Sequence, residues 1–476
     1  MFNDFRTLTT NEKALKINLD PKIYGALGEI GAGQEVAAQL FKAGGASGTI
    51  AMTSSAYDMQ ISDSLYGTAD RYVSQDRCQT MLDVEYNSLI EKLEDRKDNT
   101  CFFAFSNTIE ALNYHKTNQG HGWLGVKFQL KPNTPPNECI IHVLLRDNTN
   151  FRQQQAIGVL GINLLFACFY NYRDPNEFLP ALVENLFKGR IEIDMLQLSG
   201  PDFAHIDNRL MALKLVRIGL TEATLFNTNG EVMQPATALY KKNVMVLRGR
   251  FRPATLVNQD MLEKGLEMFK KEPDVNHEKM EIITELTLKD LSDDNKIDET
   301  DFLDRVDILL SLGHSVMISN YVKYYKLASF LSDITKGKKV GLILGMYNLD
   351  FLFDEKYYTN LKGGILEAFG LGFGRNVKLY IYPCRVDDSK EIKTIKDFEI
   401  PNKLKGLFDY LLANNKLADI ENPNTSLLNI FSDNVLTMIK YGAKGWEKMV
   451  PKKVATTIKN KKLFGFKTPK EDFSKN

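Results

Sequence analysis

Residues Val340–Tyr382 read VGLILGMYNLDFLFDEKYYTNLKGGILEAFGLGFGRNVKLYIY, two apolar runs separated by a glycine-opened stretch of helical spacing. Val340–Leu344 and Val377–Tyr382 have the continuous branched and aromatic composition of strands covered on both faces, and Gly364–Leu371 has the period of a helix between them. A strand, a helix and a strand in that order point to a parallel sheet, because parallel neighbours need a crossover long enough to hold a helix.

The same alternation continues outward. Phe302–Leu312 predicts an amphipathic helix stopped by Gly313, Val316–Ile318 a strand, and Val322–Ser332 a helix. Upstream, Thr100–Phe105, Ile140–Leu145, Ile191–Leu198, Ala223–Phe226 and Val244–Leu247 predict strands. Phe151–Tyr170 is apolar on nearly every face and predicts a helix inside a core, and Asp174-Pro175 starts a further helix to about Phe187. The expected fold class is α/β: alternating strands and helices, a mostly parallel sheet, and two α/β blocks with a helical C-terminal segment.

Charge runs mark the expected boundaries. Residues 1–255 form an N-terminal α/β domain, and 256–301 a charged connector carrying KKEPDVNHEK and KDLSDDNKIDETD around the strand-like EIITELTL. Residues 302–400 form the second α/β block, and 401–476 a helical segment whose basic stretch, PKKVATTIKNKKLFGFKTPK, reads as a solvated tail.

Sixty basic residues balance sixty acidic ones, so no global field draws in nucleic acid or an anionic membrane. No run approaches the ~20 apolar residues of a membrane span, and the first residues lack a signal-peptide pattern, so the expected location is cytoplasmic. Five scattered cysteines, never paired as C-x-x-C, and six histidines without H-x-x-x-H spacing predict neither a disulfide framework nor a metal site.

Gly25–Gly67, GALGEIGAGQEVAAQLFKAGGASGTIAMTSSAYDMQISDSLYG, is the densest stretch of small and hydroxyl residues and the first place to look for a ligand. Gly28, Gly31, Gly33 and Gln34 form a glycine-rich loop emptying into a helix over Gln34–Lys42, where free amides and the helix dipole suit an anion. Ser54, Ser55, Tyr57 and Asp58 supply a polar lining, with Arg71 nearby. A close-packed turn with ordinary caps explains the same residues. The run matches neither G-x-x-x-x-G-K-[ST], since Gln34-Glu35 replaces the lysine and hydroxyl, nor G-x-G-x-x-G, since Val36 replaces the last glycine. Ser106-Asn107 and Ser319-Asn320 each follow an apolar strand, at ends where open α/β sheets bind ligands and where helix caps also occur. Lys362-Gly363-Gly364 opens a further helix suited to an anion, and Ser199, Asp202, His205 and Arg209 cluster around one helix start.

GALGEIGAGQEVA, GGASGTIAMTSSAYDM, SLYG-x-x-x-RYVS, DNRLMAL, VMISNYVKYYKLASFL and FDEKYYTNLKGGILEAFG resemble blocks of a bacterial family of similar length. Its members are variously labelled nicotinate- or nicotinamide-nucleotide adenylyltransferase and TonB-dependent receptor. The first label implies a pyridine-nucleotide enzyme, whose usual [HT]-x-G-H and I-S-S-T-x-x-R motifs have as nearest strings here Ser311-Leu-Gly-His314 and Met317-Ile-Ser-Asn320. The chain departs from both motifs, and from the signal peptide and alternating strands that the receptor label implies. The expected function is binding of a nucleotide or phosphate-bearing ligand, with nucleotidyltransfer implied only by the family label, no catalytic residue assigned and the cofactor unknown. The alternative is a non-catalytic homo-oligomeric scaffold, in keeping with many aromatics and no other partner signal.

Overall fold

The computed structural model describes residues 7–293, 296–385 and 391–467. The chain divides into two compact units, Met1–Thr221 and Glu222–Asn476.

The first unit is built on a six-stranded sheet of order β2-β1-β3-β4-β5-β6. Its strands are β1 (Ile23–Gly31), β2 (Ile50–Ala56), β3 (Cys101–Glu110), β4 (His121–Phe128), β5 (Asn137–Leu145) and β6 (Ile191–Ser199). Helix α1 (Thr10–Asn18) precedes β1, α2 (Glu35–Ala43) joins β1 to β2, and α3 (Met59–Tyr66) and α4 (Gln75–Lys92) join β2 to β3. Those helical crossovers make β1 parallel to both β2 and β3. Short connections join β3 to β4 and β4 to β5, and a long helical one joins β5 to β6; these pairs are antiparallel, so this sheet is mixed within the expected α/β fold.

Alternate residues of β3 face opposite layers. Phe103 and Phe105 join Val36 and Leu40 of α2, Ile17 of α1 and Leu160 of α5 (Asn150–Phe166) in the main core. Gly161 admits the close approach of α5, since a Cβ there would lie 2.3 Å from Val36 Cγ2. On the other face a Cβ at Gly125 would lie 2.7 Å from Leu82 Cδ1 of α4. The helix expected from Asp174 to about Phe187 is shorter, α6 (Pro175–Ala181), with Asp174 accepting from the Asn176 amide as its cap. Asp207 caps α7 (Asn208–Arg217) in the same way.

The second unit carries an eight-stranded sheet. In chain order its strands are β7 (Ala223–Phe226), β8 (Val232–Met233), β9 (Asn243–Arg248), β10 (Met280–Thr287), β11 (Ser315–Ser319), β12 (Val340–Gly345), β13 (Val377–Tyr382) and β14 (Leu417–Asp419), laid side by side as β14-β13-β12-β9-β10-β11-β7-β8. β9 through β14 all run parallel. The chain winds from β9 out to β11, returns to place β12 against the other side of β9, and winds out to β14. That reversal between β9 and β12 is the doubly wound arrangement, which leaves a crevice at the carboxyl ends of the two strands. Helices α8 (Leu256–Phe269) and α9 (Glu299–Ser311) connect the strands of the first half. α10 (Tyr324–Ile334) and α11 (Gly364–Phe373) connect those of the second and pack on each other, and α12 (Lys405–Ala413) follows β13.

Residues 256–301, expected as a connector, supply α8, β10 and the start of α9. Leu262, Phe269, Ile283 and Leu286 are buried, and so are the charged Asp260 and Glu285. The C-terminal segment is helical as expected, with α13 (Ser432–Tyr441) and α14 (Lys452–Lys461). The basic stretch is no solvated tail over α14: Val454, Ala455 and Ile458 form a buried stripe, and Lys461 pairs with Asp307 at 2.6 Å. Residues 468–476 of that expected tail lie outside the described residues. The closed barrel implied by the receptor label has no counterpart among the described residues, where both large sheets are open. No helix among them is long and apolar enough to cross a membrane.

Candidate functional site

The glycines expected to form a loop lie mostly in a strand. Gly25, Gly28 and Gly31 belong to β1, and the turn into α2 is only Ala32–Gln34. Their lack of a side chain serves packing: a Cβ at Gly25 would lie 2.4 Å from the Phe103 ring, and one at Gly28 2.9 Å from Tyr66 Oη. Gly31 has φ +73°, the conformation that turns the chain off the strand. A Cβ at Gly33 would fall 1.7 Å from Asn107 Oδ1. Gln34 sits at the helix N-cap with its side-chain amide donating to the Gly31 carbonyl, 2.5 Å.

A buried carboxyl group stands beside the start of α2. Glu29, buried on β1, accepts from Asn107 Nδ2 at 3.3 Å, and the nearby backbone amides of Ala37 and Val36 favour its charged form. Burial lifts its carboxyl to about 7 against the lowering effect of those groups. A phosphate at the first amides of α2 would therefore meet a carboxyl group of the same unit beside it.

The polar lining divides between two roles. Ser54 Oγ and Tyr66 Oη both donate to Glu85 Oε1, each at 2.6 Å, forming a half-buried cluster under β2. Asp58 caps α3 by accepting from Gln60 and Ile61, and Ser55, Tyr57 and Asp58 are all exposed. Ser106 and Asn107 lie inside β3 and are fully buried, while Ser319 ends β11.

Across the antiparallel half of the first sheet runs a chain of titratable groups that spacing along the sequence conceals. His121 Nδ1 is 3.1 Å from His142 Nε2, and His142 Nδ1 is 2.5 Å from Asp194 Oδ1. Glu110 lies 3.6 Å from His121 Nε2 at the outer end. A carboxylate only accepts, so with both rings neutral the His142 Nδ1–H points to Asp194 and the His121 Nδ1–H to His142. Burial, then repulsion from His142, lowers the His121 pKa against Glu110 and Asp194.

In the second unit the strand ends converge on a crevice of about 260 Å³. Its walls come from four strand ends: Arg248 closing β9, Thr287, Lys289 and Asp290 after β10, Lys323 and Tyr324 after β11, and Asn348 and Phe351 after β12. Tyr357 and Tyr358 complete them. Arg248 is fixed by the buried Glu285 on the next strand, through Nε to Oε2 and Nη2 to Oε1 at 3.0 Å. Burial opposes its charge and Glu285 outweighs that, so the guanidinium is held above its ordinary pKa. Ser319 Oγ donates to the same carboxylate, Arg248 Nη2 donates to the Tyr321 carbonyl at 2.7 Å, and the Tyr324 ring lies 4.7 Å from the guanidinium carbon. Lys323 donates to the Tyr357 carbonyl and to Asn360 Oδ1, both neutral acceptors, and desolvation with repulsion from Lys326 lowers its pKa. Neither Lys323 nor Lys289 forms an ion pair among the described residues, so two cations face a space walled by aromatic rings.

No family model and no curated protein matches the chain. Solved structures similar to part of it are those of competence/damage-inducible proteins. CihA from Agrobacterium tumefaciens is 16% identical with a TM-score of 0.25, over 34% of this chain and 98% of that one. A protein from Enterobacter asburiae is 10% identical with a TM-score of 0.23, over 34% and 99%. A CinA superfamily protein from Enterobacter cloacae is 12% identical with a TM-score of 0.24, over 35% and 96%.

The crevice residues Arg248, Lys289, Lys323, Tyr324 and Tyr357 were not among the expected site residues. Their signal in the sequence is positional: Arg248, Lys289, Lys323 and Tyr324 lie at or soon after the end of an apolar strand, and only the strand order reveals that those ends meet.

Proposed function

We propose that the second unit binds a small anion carrying a flat ring, of nucleotide class, in the crevice where its strand order reverses. The observation that carries this reading is the meeting, in one crevice, of Lys289 and Lys323, neither in an ion pair among the described residues, with the rings of Tyr324, Phe351 and Tyr357. Open doubly wound sheets bind ligands at this place, cations suit phosphate, and aromatic faces suit a base. The first-unit residues Gly33, Gln34 and Ser54 are the weaker candidate, because the Glu29 carboxyl group stands beside the helix start and Glu85 takes the Ser54 hydroxyl. Binding, rather than nucleotidyltransfer, is the reading. His314, the histidine of the string nearest the adenylyltransferase motif, lines a separate cavity beside Leu247, Thr255 and Leu312.

The test is a thermal-shift and calorimetric screen of mono-, di- and trinucleotides, dinucleotides and inorganic phosphate. A nucleotide that stabilises the parent should lose tenfold or more in affinity with Lys323→Ala or Lys289→Ala, and little with Ser54→Ala. Stabilisation by phosphate alone would remove the ring from the reading. Equal binding by parent and both lysine variants would overturn it.

A further inference from the structure

Strand β2 is the outer strand of the first unit's sheet, bonded to β1 on one side and to nothing on the other among the described residues. Edge strands of soluble proteins are guarded by lysine, proline, extreme shortness or a cover. Here Ile50–Ala56, IAMTSSA, has no charge and no proline. Its one irregularity is the extra residue Ala51 near its start, which leaves Met52–Ala56 in regular register with β1. Ala51, Met52, Thr53 and Ser55 are exposed, so solvent reaches both faces of the strand.

The segment that follows extends this surface. Tyr57 is 82% exposed, Met59 60%, Ile61 54% and Leu65 44%, the last two one turn apart on α3. Four large apolar side chains beside an open strand edge form the kind of patch that marks an interaction surface.

We propose that β2 and α3 form a two-fold interface with a second copy of this chain, the two β2 strands pairing antiparallel. Self-pairing suits this sequence. A two-fold axis at Ser54 sets Met52 opposite Ala56 and Thr53 opposite Ser55, apolar against apolar and hydroxyl against hydroxyl. Ile50–Tyr57 is uncharged, so two identical strands meet without the like-charge opposition that separates most self-paired edges. The pairing continues the sheet across the axis and covers the open row of backbone groups. The α3 helices follow β2 directly, and Ser54 Oγ lies 3.1 Å from Tyr66 Oη, which anchors α3 over the strand.

Light scattering after size exclusion tests this on the full chain. Two copies of 54.1 kDa give 2 × 54.1 = 108.2 kDa, the mass expected at tens of micromolar. Thr53→Lys and, separately, Ile61→Glu should each return the mass to 54.1 kDa with an unchanged circular dichroism spectrum. Ile61 is an exposed helix position, so its variant decides the matter even where Thr53→Lys disturbs folding. A parent of 54.1 kDa, or a 108.2 kDa species that survives Ile61→Glu, would overturn the proposal.

Discussion

Glu29 and Asn107 stand opposite each other on the parallel strands β1 and β3, with Asn107 Nδ2 3.3 Å from Glu29 Oε1. The same amide nitrogen donates to the Gly33 carbonyl at 3.0 Å. One asparagine thus contacts both the Glu29 carboxyl group and the turn that leads into α2. A buried acid in this position couples the stability of the first unit to pH.

The direction of that coupling follows from the raised carboxyl. An ordinary glutamate near 4.5 in the unfolded chain stands at about 7 in the folded one, so the native state holds the proton more tightly. Stability from this group is therefore fully present below pH 4.5 and is lost as pH rises through about 7. The full loss is roughly 3 kcal/mol at 1.36 kcal/mol per unit. Glu29→Gln removes the dependence, so its denaturation midpoint should gain on the parent's between pH 5 and pH 8. A difference that stays constant with pH would count against the assignment.

Gly33 depends on the same asparagine. A Cβ placed 1.7 Å from Asn107 Oδ1 forces the side chain, and with it the Glu29 contact, to move. Gly33→Ala should cost on the order of 1–3 kcal/mol without any ligand present. Combined with Asn107→Ala the cost should be less than the sum of the two single changes, because both act on one contact. Additive losses in urea denaturation would show that the two positions act separately.

Most elements were legible in the sequence, and the exceptions have a common cause. Ala223–Phe226 and Val377–Tyr382 match the observed strands to the residue, since a parallel or core strand buried on both faces is a continuous apolar run. β1 was hidden because its glycines look like a loop, although Gly25 and Gly28 give way to Phe103 and Tyr66 from neighbouring elements. β2 was hidden because an exposed edge strand lacks the apolar signature. Site residues were the least legible. The His121–His142–Asp194 chain joins residues from three strands, and the crevice joins four strand ends, so neither leaves a local motif.

The neighbouring imidazole bears on the titration of His121. Desolvation and the neighbouring His142 lower the His121 pKa, so the folded state resists charging this ring. Its contribution to stability is present above the ordinary value of 6.5 and is lost as pH falls through the lowered one. His142→Leu removes the repelling partner and should move the His121 titration upward in nitrogen-15 histidine spectra. An unchanged midpoint would mean that the two rings do not interact.

The second unit offers a contrast between a framework cation and the cations of the proposed site. Arg248 neutralises Glu285, whose side chain has no exposure, and removing one member of a buried pair leaves the other charged and unpaired. Arg248→Met should therefore destabilise the fold by about 3–5 kcal/mol. The double variant Arg248→Met with Glu285→Met should recover much of that, because no buried charge remains. Lys289→Ala, at an exposed position without an ion pair among the described residues, should stay within about 0.5 kcal/mol of the parent. Denaturant midpoints of the four proteins distinguish the two roles. A large loss in Lys289→Ala would make that lysine part of the framework, and a small loss in Arg248→Met would show that Glu285 finds another partner.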